Sequence, residues 1–213
     1  MPAWSSSEPP LSPLRSVVRA GDGRRVQLEV GYYTPSSVGT LSLAQAKPGG
    51  SGIASFNFTD QANTALLVTT HGAYKGDTLG NLTNETITAT FNISGATPGA
   101  FIYYGTCGST PASTRLFFQT DNGGGFAYTH YWWSNPASQV LANGTWTVSA
   151  KLDPALWSDW NGQFGTTESA GFADAASNVT VIGLSFGGGC FFENGVGTTD
   201  GTGTFTLDSL TVG

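Results

Sequence analysis

Apolar and polar residues alternate along much of the chain. In Glu85–Ile93, ETITATFNI, one face carries Ile87, Ala89, Phe91 and Ile93, and the other carries Thr86, Thr88, Thr90 and Asn92. A period of two predicts a strand with one buried face. Thr145–Leu152 repeats the pattern, with Trp146, Val148, Ala150 and Leu152 on one side. In Ile53–Phe58, Ala54, Phe56 and Phe58 oppose Ile53, Ser55 and Asn57. In Arg25–Tyr33, Val26, Leu28 and Val30 alternate with Gln27 and Glu29. In Thr204–Val212, strict alternation sets Phe205, Leu207, Ser209 and Thr211 against Thr204, Thr206, Asp208, Leu210 and Val212. Shorter runs at Ala65–Thr70, Phe101–Tyr104, Thr114–Gln119, Tyr128–Trp133 and Val179–Phe186 bring the total to about ten short strands. Gly, Asn and Asp fill the connections, as at Asn122–Gly125, Asn143-Gly144, Gly187–Gly189 and Asp200–Gly203, where turns demand positive φ. One short helix is expected at Ala170–Ser177. No internal repeat is visible. The pattern predicts an all-β jelly roll or β-sandwich of antiparallel strands.

The organisation follows from the breaks. Residues 1–15, MPAWSSSEPPLSPLR, carry four prolines and no apolar core, and are read as a disordered or processed leader. Residues 16–46 form an N-terminal strand segment too small to bury a core alone. Residues 47–52, Lys-Pro-Gly-Gly-Ser-Gly, read as a linker. Residues 53–213 form the main body. The apolar face of Val26, Leu28 and Val30 must dock, either on this body or on another copy of the chain.

Composition narrows the function classes. Asp, Glu, Lys and Arg make up 10% of the 213 residues, and no apolar run approaches a membrane-spanning length. From Val26 onward, twelve acids face only Lys47, Lys75, Arg115 and Lys151. Such an acidic surface repels phosphate backbones and anionic membranes, so neither nucleic-acid binding nor membrane insertion is expected. The two cysteines, Cys107 and Cys190, lack metal-ligand spacing and each lies in a Gly-rich turn. In a Thr/Asn-rich, Lys-poor chain they are expected to pair as a disulfide in a secreted, extracellular protein. N-x-S/T sequons at Asn57, Asn81, Asn84, Asn92, Asn143 and Asn178 are candidate glycosylation sites of a glycoprotein.

The candidate chemistry concentrates in Tyr128–Gln163, which holds five of the six tryptophans. Sugar rings present C–H faces that stack on indoles, and their hydroxyls need a few aimed polar partners. Trp157-Ser158-Asp159-Trp160-Asn161-Gly162-Gln163 offers two indoles three residues apart beside Asp159, Asn161 and Gln163, in a stretch expected to be a loop. Trp132 and Trp133 are adjacent, so in a strand they point to opposite faces; one belongs to the core, and Trp133 joins the candidate ligand-binding set. Packing is the competing reading for each indole.

Three segments resemble the C-terminal half of galactose-binding-like β-jelly-roll carbohydrate-binding modules. They are Gly144–Asp153, GTWTVSAKLD; Val179–Phe186, VTVIGLSF; and Gly203–Val212, GTFTLDSLTV. Gly80–Ala89, GNLTNETITA, is similar to an early strand segment of such modules. The resemblance covers about half the chain. It implies a glycan or polysaccharide partner and no catalytic residues. It also implies a structural calcium held by the closing-strand carboxylate Asp208, with Asp60 the acid nearest the first core strand.

Catalytic signals are sparse. There is no GxSxG, and His71 and His130 lack a base-orienting motif. Glu85, Asp159, Glu168 and Glu193 are isolated and are read as solvated surface acids. The leading expectation is therefore a non-catalytic carbohydrate-recognition module of an extracellular protein. The alternative is a structural subunit of a cell surface or filament that exchanges Val26–Tyr33 with copies of itself. A small extracellular glycan hydrolase or lyase is the third reading.

Overall fold

The computed structural model describes residues 15–19, 28–34, 37–69, 79–120 and 125–213. The leader before Arg15, Val26, Gln27 and His71 lie outside the described residues. In chain order, β1 (Arg15–Arg19), β2 (Leu28–Thr34), β3 (Ser37–Gln45), β4 (Ala54–Asn57) and β5 (Thr64–Thr69) come first. β6 (Thr86–Ser94), β7 (Phe101–Tyr103) and β8 (Ser113–Thr120) follow. Then come β9 (Tyr131–Ser134), β10 (Gln139–Val140), β11 (Gly144–Lys151) and β12 (Trp157–Asp159). Helix α1 (Ser169–Ser177) precedes β13 (Val179–Gly187), β14 (Val196–Thr198) and β15 (Thr204–Val212).

These strands build a β-sandwich. The first sheet runs β1, β15, β6, β11, with β4 also on β15. The second runs β12, β9, β8, β13, β5, β14, β7, with β10 on β8, β2 on β5 and β3 on β2. Every pairing is antiparallel.

The first sheet obeys the period of two. β6 buries Ile87, Ala89, Phe91 and Ile93, and β11 buries Val148 and Ala150. Among the strands of this sheet with described side chains, β15 breaks strict alternation. A register shift between Leu207 and Ser209 inserts one residue, so that Leu210 and Val212 return to the core face beside Phe205 and Leu207. A β-bulge of this kind lets one strand keep both halves of its apolar set inward.

The inner faces meet over a phenylalanine seam. Phe205 stacks on Phe91 at 4.8 Å and on Phe56 at 5.1 Å, and meets Phe186 of the second sheet edge-on at 5.4 Å. Aromatic pairs in these geometries add to the burial of their area.

The second sheet differs, because it is apolar on both faces. Leu67, Leu116, Phe118, Trp132, Ile182 and Leu184 point into the sandwich. Leu66, Val68, Phe117, Trp133 and Val181 form a separate cluster, covered by Tyr33, Leu41, Tyr131 and Phe192. This explains why β5 and β13 read as continuous apolar runs. β2 pairs with β5 of its own chain, with Val30 opposite Leu67, and buries Leu28 and Val30. Residues 47–52 lie against the body: Ser55 N donates to Lys47 O (2.6 Å) and Ile53 N to Leu207 O (2.7 Å).

The seam predicts a clear contrast. Phe205→Ala should lower the unfolding free energy by about 3–5 kcal/mol. Thr88→Ala, on the outward face of β6, should stay within about 0.5 kcal/mol. Urea denaturation of both variants checks this, and equal losses would contradict the seam as the centre of stability.

Candidate functional site

The turn after β13 is held at both ends. Cys107 and Cys190 form the disulfide, joining the loop after β7 to this turn. Gly189 has φ +65, and a Cβ there would lie 2.0 Å from Cys107 O, so only glycine fits. Asn194 accepts from Gly188 N (2.9 Å), and its Nδ2 donates to Gly188 O and Tyr104 O. These links fix the turn that carries Phe191, Phe192 and Glu193, and Phe192 packs on the outer apolar cluster. Arg115 stacks on Phe192, with its guanidinium carbon 4.2 Å from the ring centroid, and backs that wall.

A second wall comes from the connection after β12. Asp159 is 2% exposed, and its Oδ1 accepts from Asn161 N (2.9 Å) and Gln163 N (2.8 Å). This Asx turn presents Trp160, 46% exposed, at its tip. The indole of Trp160 lies against Phe126 (5.5 Å), Tyr131 (5.6 Å) and Trp133 (5.7 Å). Phe126 and Tyr128 are exposed beside it, and Tyr104 and Phe191 are exposed on the opposite side.

Between the walls lies a cleft of about 580 Å³. Trp133, Trp160, Asp159 and Asn161 line one side, and Tyr104, Phe191, Phe192 and Glu193 the other. Tyr33 of β2 also lines it, and its hydroxyl donates to Glu193 Oε1 at 3.1 Å. The volume and the mix of aromatic walls with few polar groups match small-molecule and saccharide sites in general.

The cleft polar groups are perturbed. Burial pushes the Glu193 carboxyl from its ordinary 4.5 up to about 8, against the smaller lowering effect of the Tyr33 hydrogen bond. Burial first, and then the charge of Glu193, holds the Tyr33 hydroxyl protonated well above its ordinary range. Among the described residues, Glu193 Oε2 and Trp133 Nε1 are buried without a hydrogen-bond partner. Buried polar atoms of this kind call for an explanation.

The sequence-predicted residues divide. Trp160, Asp159, Asn161 and Trp133 converge on the cleft, and Gln163 lies exposed on the same Asx turn. Trp157 does not join them. It is fully buried, donates from Nε1 to Lys151 O (2.7 Å) and meets Phe118 edge-on at 4.9 Å. The expected loop is in fact β12, paired to β9 with Trp157 opposite Ser134, and this pairing carries the indole into the sandwich. Asp159 and Glu193 are not the solvated surface acids expected of them. Asp159 is buried as a turn cap, and Glu193 is half-buried in the cleft with its Oε2 atom buried.

Asp60 and Asp208 do not converge on a calcium. β4 lies antiparallel to β15, with Asn57 opposite Thr204 and Ala54 opposite Leu207, so the two acids fall beyond opposite ends of that ladder. No group of three or more His, Cys, Asp or Glu among the described residues could hold a metal, whereas calcium takes six to eight oxygens. The sequon residues Asn57, Asn81, Asn84, Asn143 and Asn178 are exposed, and Asn92 is half-buried. Asn143 holds Ala96 from both sides, accepting from its N (3.0 Å) and donating to its O (2.7 Å).

Glu193, Tyr33 and Tyr104 escaped the sequence reading. The pairing of β2 with β5 brings Tyr33 to a residue 160 positions away. The available signal was local: a carboxylate directly after two phenylalanines and three residues after a cysteine.

Glu193 couples stability to pH. Its folded pKa is raised, so its contribution is fully present below pH 4.5 and is lost as pH climbs through about 8. Glu193→Gln has no proton to lose. Its unfolding free energy, measured by urea at about pH 5 and about pH 9, should gain on the parent protein at the higher pH, by at most about 1.4 kcal/mol per pH unit. Parallel pH profiles would contradict a buried, neutral Glu193.

No protein-family profile matches the chain, and no curated protein matches it. Among solved structures the chain is similar to one described as "xylan-binding module CBM15", with a TM-score of 0.45 and 13% identity over 92% of this chain and 97% of that one.

Proposed function

We propose that this chain is a carbohydrate-recognition module whose binding site is the cleft between Trp160 and the disulfide-tethered turn. The observation that carries this reading is an exposed indole, Trp160, on a rigid Asx turn, beside a cleft that also holds polar groups. A pyranose offers a C–H face for the indole and hydroxyls for the polar groups. Exposed aromatics gathered at one place, as Phe126, Tyr128, Trp160, Tyr104 and Phe191 are here, mark an interaction surface rather than scattered apolar residues. The partner is a glycan or polysaccharide.

Two features favour recognition over the other readings. The strand needed for filament exchange, β2, completes the chain's own sheet and supplies Tyr33 to the cleft. Asp159, one of two cleft carboxylates, serves as a backbone cap, which speaks for a structural role rather than acid–base work. An extracellular setting accords with the disulfide and with the low lysine content. No described helix is long and apolar enough to cross a membrane.

The tryptophan pair tests the reading. In a glycan array followed by calorimetry on a bound sugar, Trp160→Ala should weaken binding by about tenfold or more, a loss of about 1.4 kcal/mol, with little change in melting temperature. Trp157→Ala should instead cost about 3–5 kcal/mol of stability. Undiminished sugar binding by Trp160→Ala would overturn the proposal.

A further inference from the structure

The cleft holds two polar atoms that the fold itself leaves unused. Trp133 is 3% exposed, yet its indole N–H has no acceptor among the described residues. Glu193 engages Tyr33 through Oε1 alone, and its buried Oε2 has no partner among them. Both residues line the same cleft, and Trp133 lies against the Trp160 indole at 5.7 Å. An indole nitrogen can only donate. A carboxyl oxygen accepts when ionised and, when protonated, can donate as well. With Glu193 protonated, both groups can donate, and a sugar hydroxyl oxygen has the two lone pairs to accept from both.

The cleft also selects by charge. Its ionisable side chains include the carboxyls Asp159 and Glu193, among the described residues no Lys, Arg or His lines it, and Arg115 lies behind the Phe192 ring. The whole chain carries a net charge of −6. An anionic sugar would bring a second carboxylate beside Asp159, into the same burial that holds the Glu193 carboxyl uncharged, and burying an unpaired charge is costly.

We propose that Trp133 Nε1 and Glu193 Oε2 act together as a hydroxyl-reading pair, which makes this cleft specific for uncharged sugars and closed to uronic acids. The inference rests on the carbohydrate-recognition reading and adds the sugar class and the residues that choose it. Trp160 supplies stacking, which any pyranose can use. The pair supplies selection: a sugar without a hydroxyl at that position leaves both buried groups unsatisfied, and such mismatches discriminate more sharply than apolar contacts do. Tyr33 is a positioning residue. By holding Oε1 it turns Oε2 to the remaining role.

The experiment uses the full chain and a fixed set of probes: neutral hexasaccharides of glucose, xylose and mannose, and hexagalacturonate. Calorimetry at neutral pH compares the parent protein with Trp160→Ala and Glu193→Met, the latter keeping side-chain length and removing both oxygens. The expected result is binding of at least one neutral probe and none of hexagalacturonate, with each variant losing about tenfold or more in affinity. Hexagalacturonate binding as tight as the best neutral probe overturns the pair, as does full affinity in Glu193→Met; in both cases loss of binding in Trp160→Ala leaves the recognition reading standing. Full affinity in Trp160→Ala, or no bound probe at all, overturns that reading and the pair with it. A measurement on the parent protein guards against a variant that fails to fold. In an NMR titration with the bound neutral probe, the Trp133 indole N–H resonance should shift and gain exchange protection. A titration that moves the Trp160 indole and leaves Trp133 untouched contradicts the pair.

Discussion

The outer face of the second sheet has to be covered. Trp132 and Trp133 are consecutive in β9, so their side chains leave opposite faces of the sheet. Trp132 enters the sandwich, stacks with Phe118 (6.3 Å) and meets Phe172 of α1 edge-on (5.0 Å). Trp133 faces the other way, with Phe117 at 5.2 Å, on a side where no further sheet packs. Side chains from three distant segments cover this second cluster: Tyr33 and Leu41 from β2 and β3, Tyr131 from β9 itself, and Phe192 from the disulfide turn. The cleft opens beside this cover, between the disulfide turn and the Asx turn that carries Trp160. Its walls are rigid because the Asx turn, the disulfide and the Asn194 hydrogen bonds fix them independently.

The opposite surface of the molecule has a different character. Across the first sheet, Thr88 meets Ser149 at 2.8 Å, Thr90 meets Thr147 at 3.0 Å, and Asn92 donates to Thr145 at 3.0 Å. These cross-strand pairs satisfy one another, giving β6 and β11 a polar outer surface. The contrast supports the proposed cleft: the outer surface of β6 and β11 pairs hydroxyls and amides across strands, and the other side combines exposed rings with two buried polar atoms that have no partner among the described residues.

Alternation in the sequence foretold the first sheet well, because each strand has one wet and one dry face. Ala54, Phe56 and Phe58 turn inward as their spacing implies, and the short helix begins one residue from its expected start. The bulge in β15 was invisible, since nothing local distinguishes an inserted residue from a change of face. The second sheet is where periodicity loses its meaning: strands apolar on both faces do not say which side chain goes where. For that reason Trp157 and Trp160 looked equivalent as sequence, while backbone pairing of β12 buries the first and the following Asx turn exposes the second. The Tyr33–Glu193 contact arises from topology alone, and no spacing rule finds it.

The account stands on one claim, that a sugar ring occupies the cleft against Trp160 with a hydroxyl directed to Trp133 and Glu193. A crystal structure of the chain with a neutral oligosaccharide identified by array screening tests it most directly. The predicted result is a pyranose face on the Trp160 indole and a sugar oxygen within hydrogen-bonding distance of Trp133 Nε1 and Glu193 Oε2. A sugar seated on the Thr-rich face of the first sheet, with the cleft holding solvent alone, would contradict it.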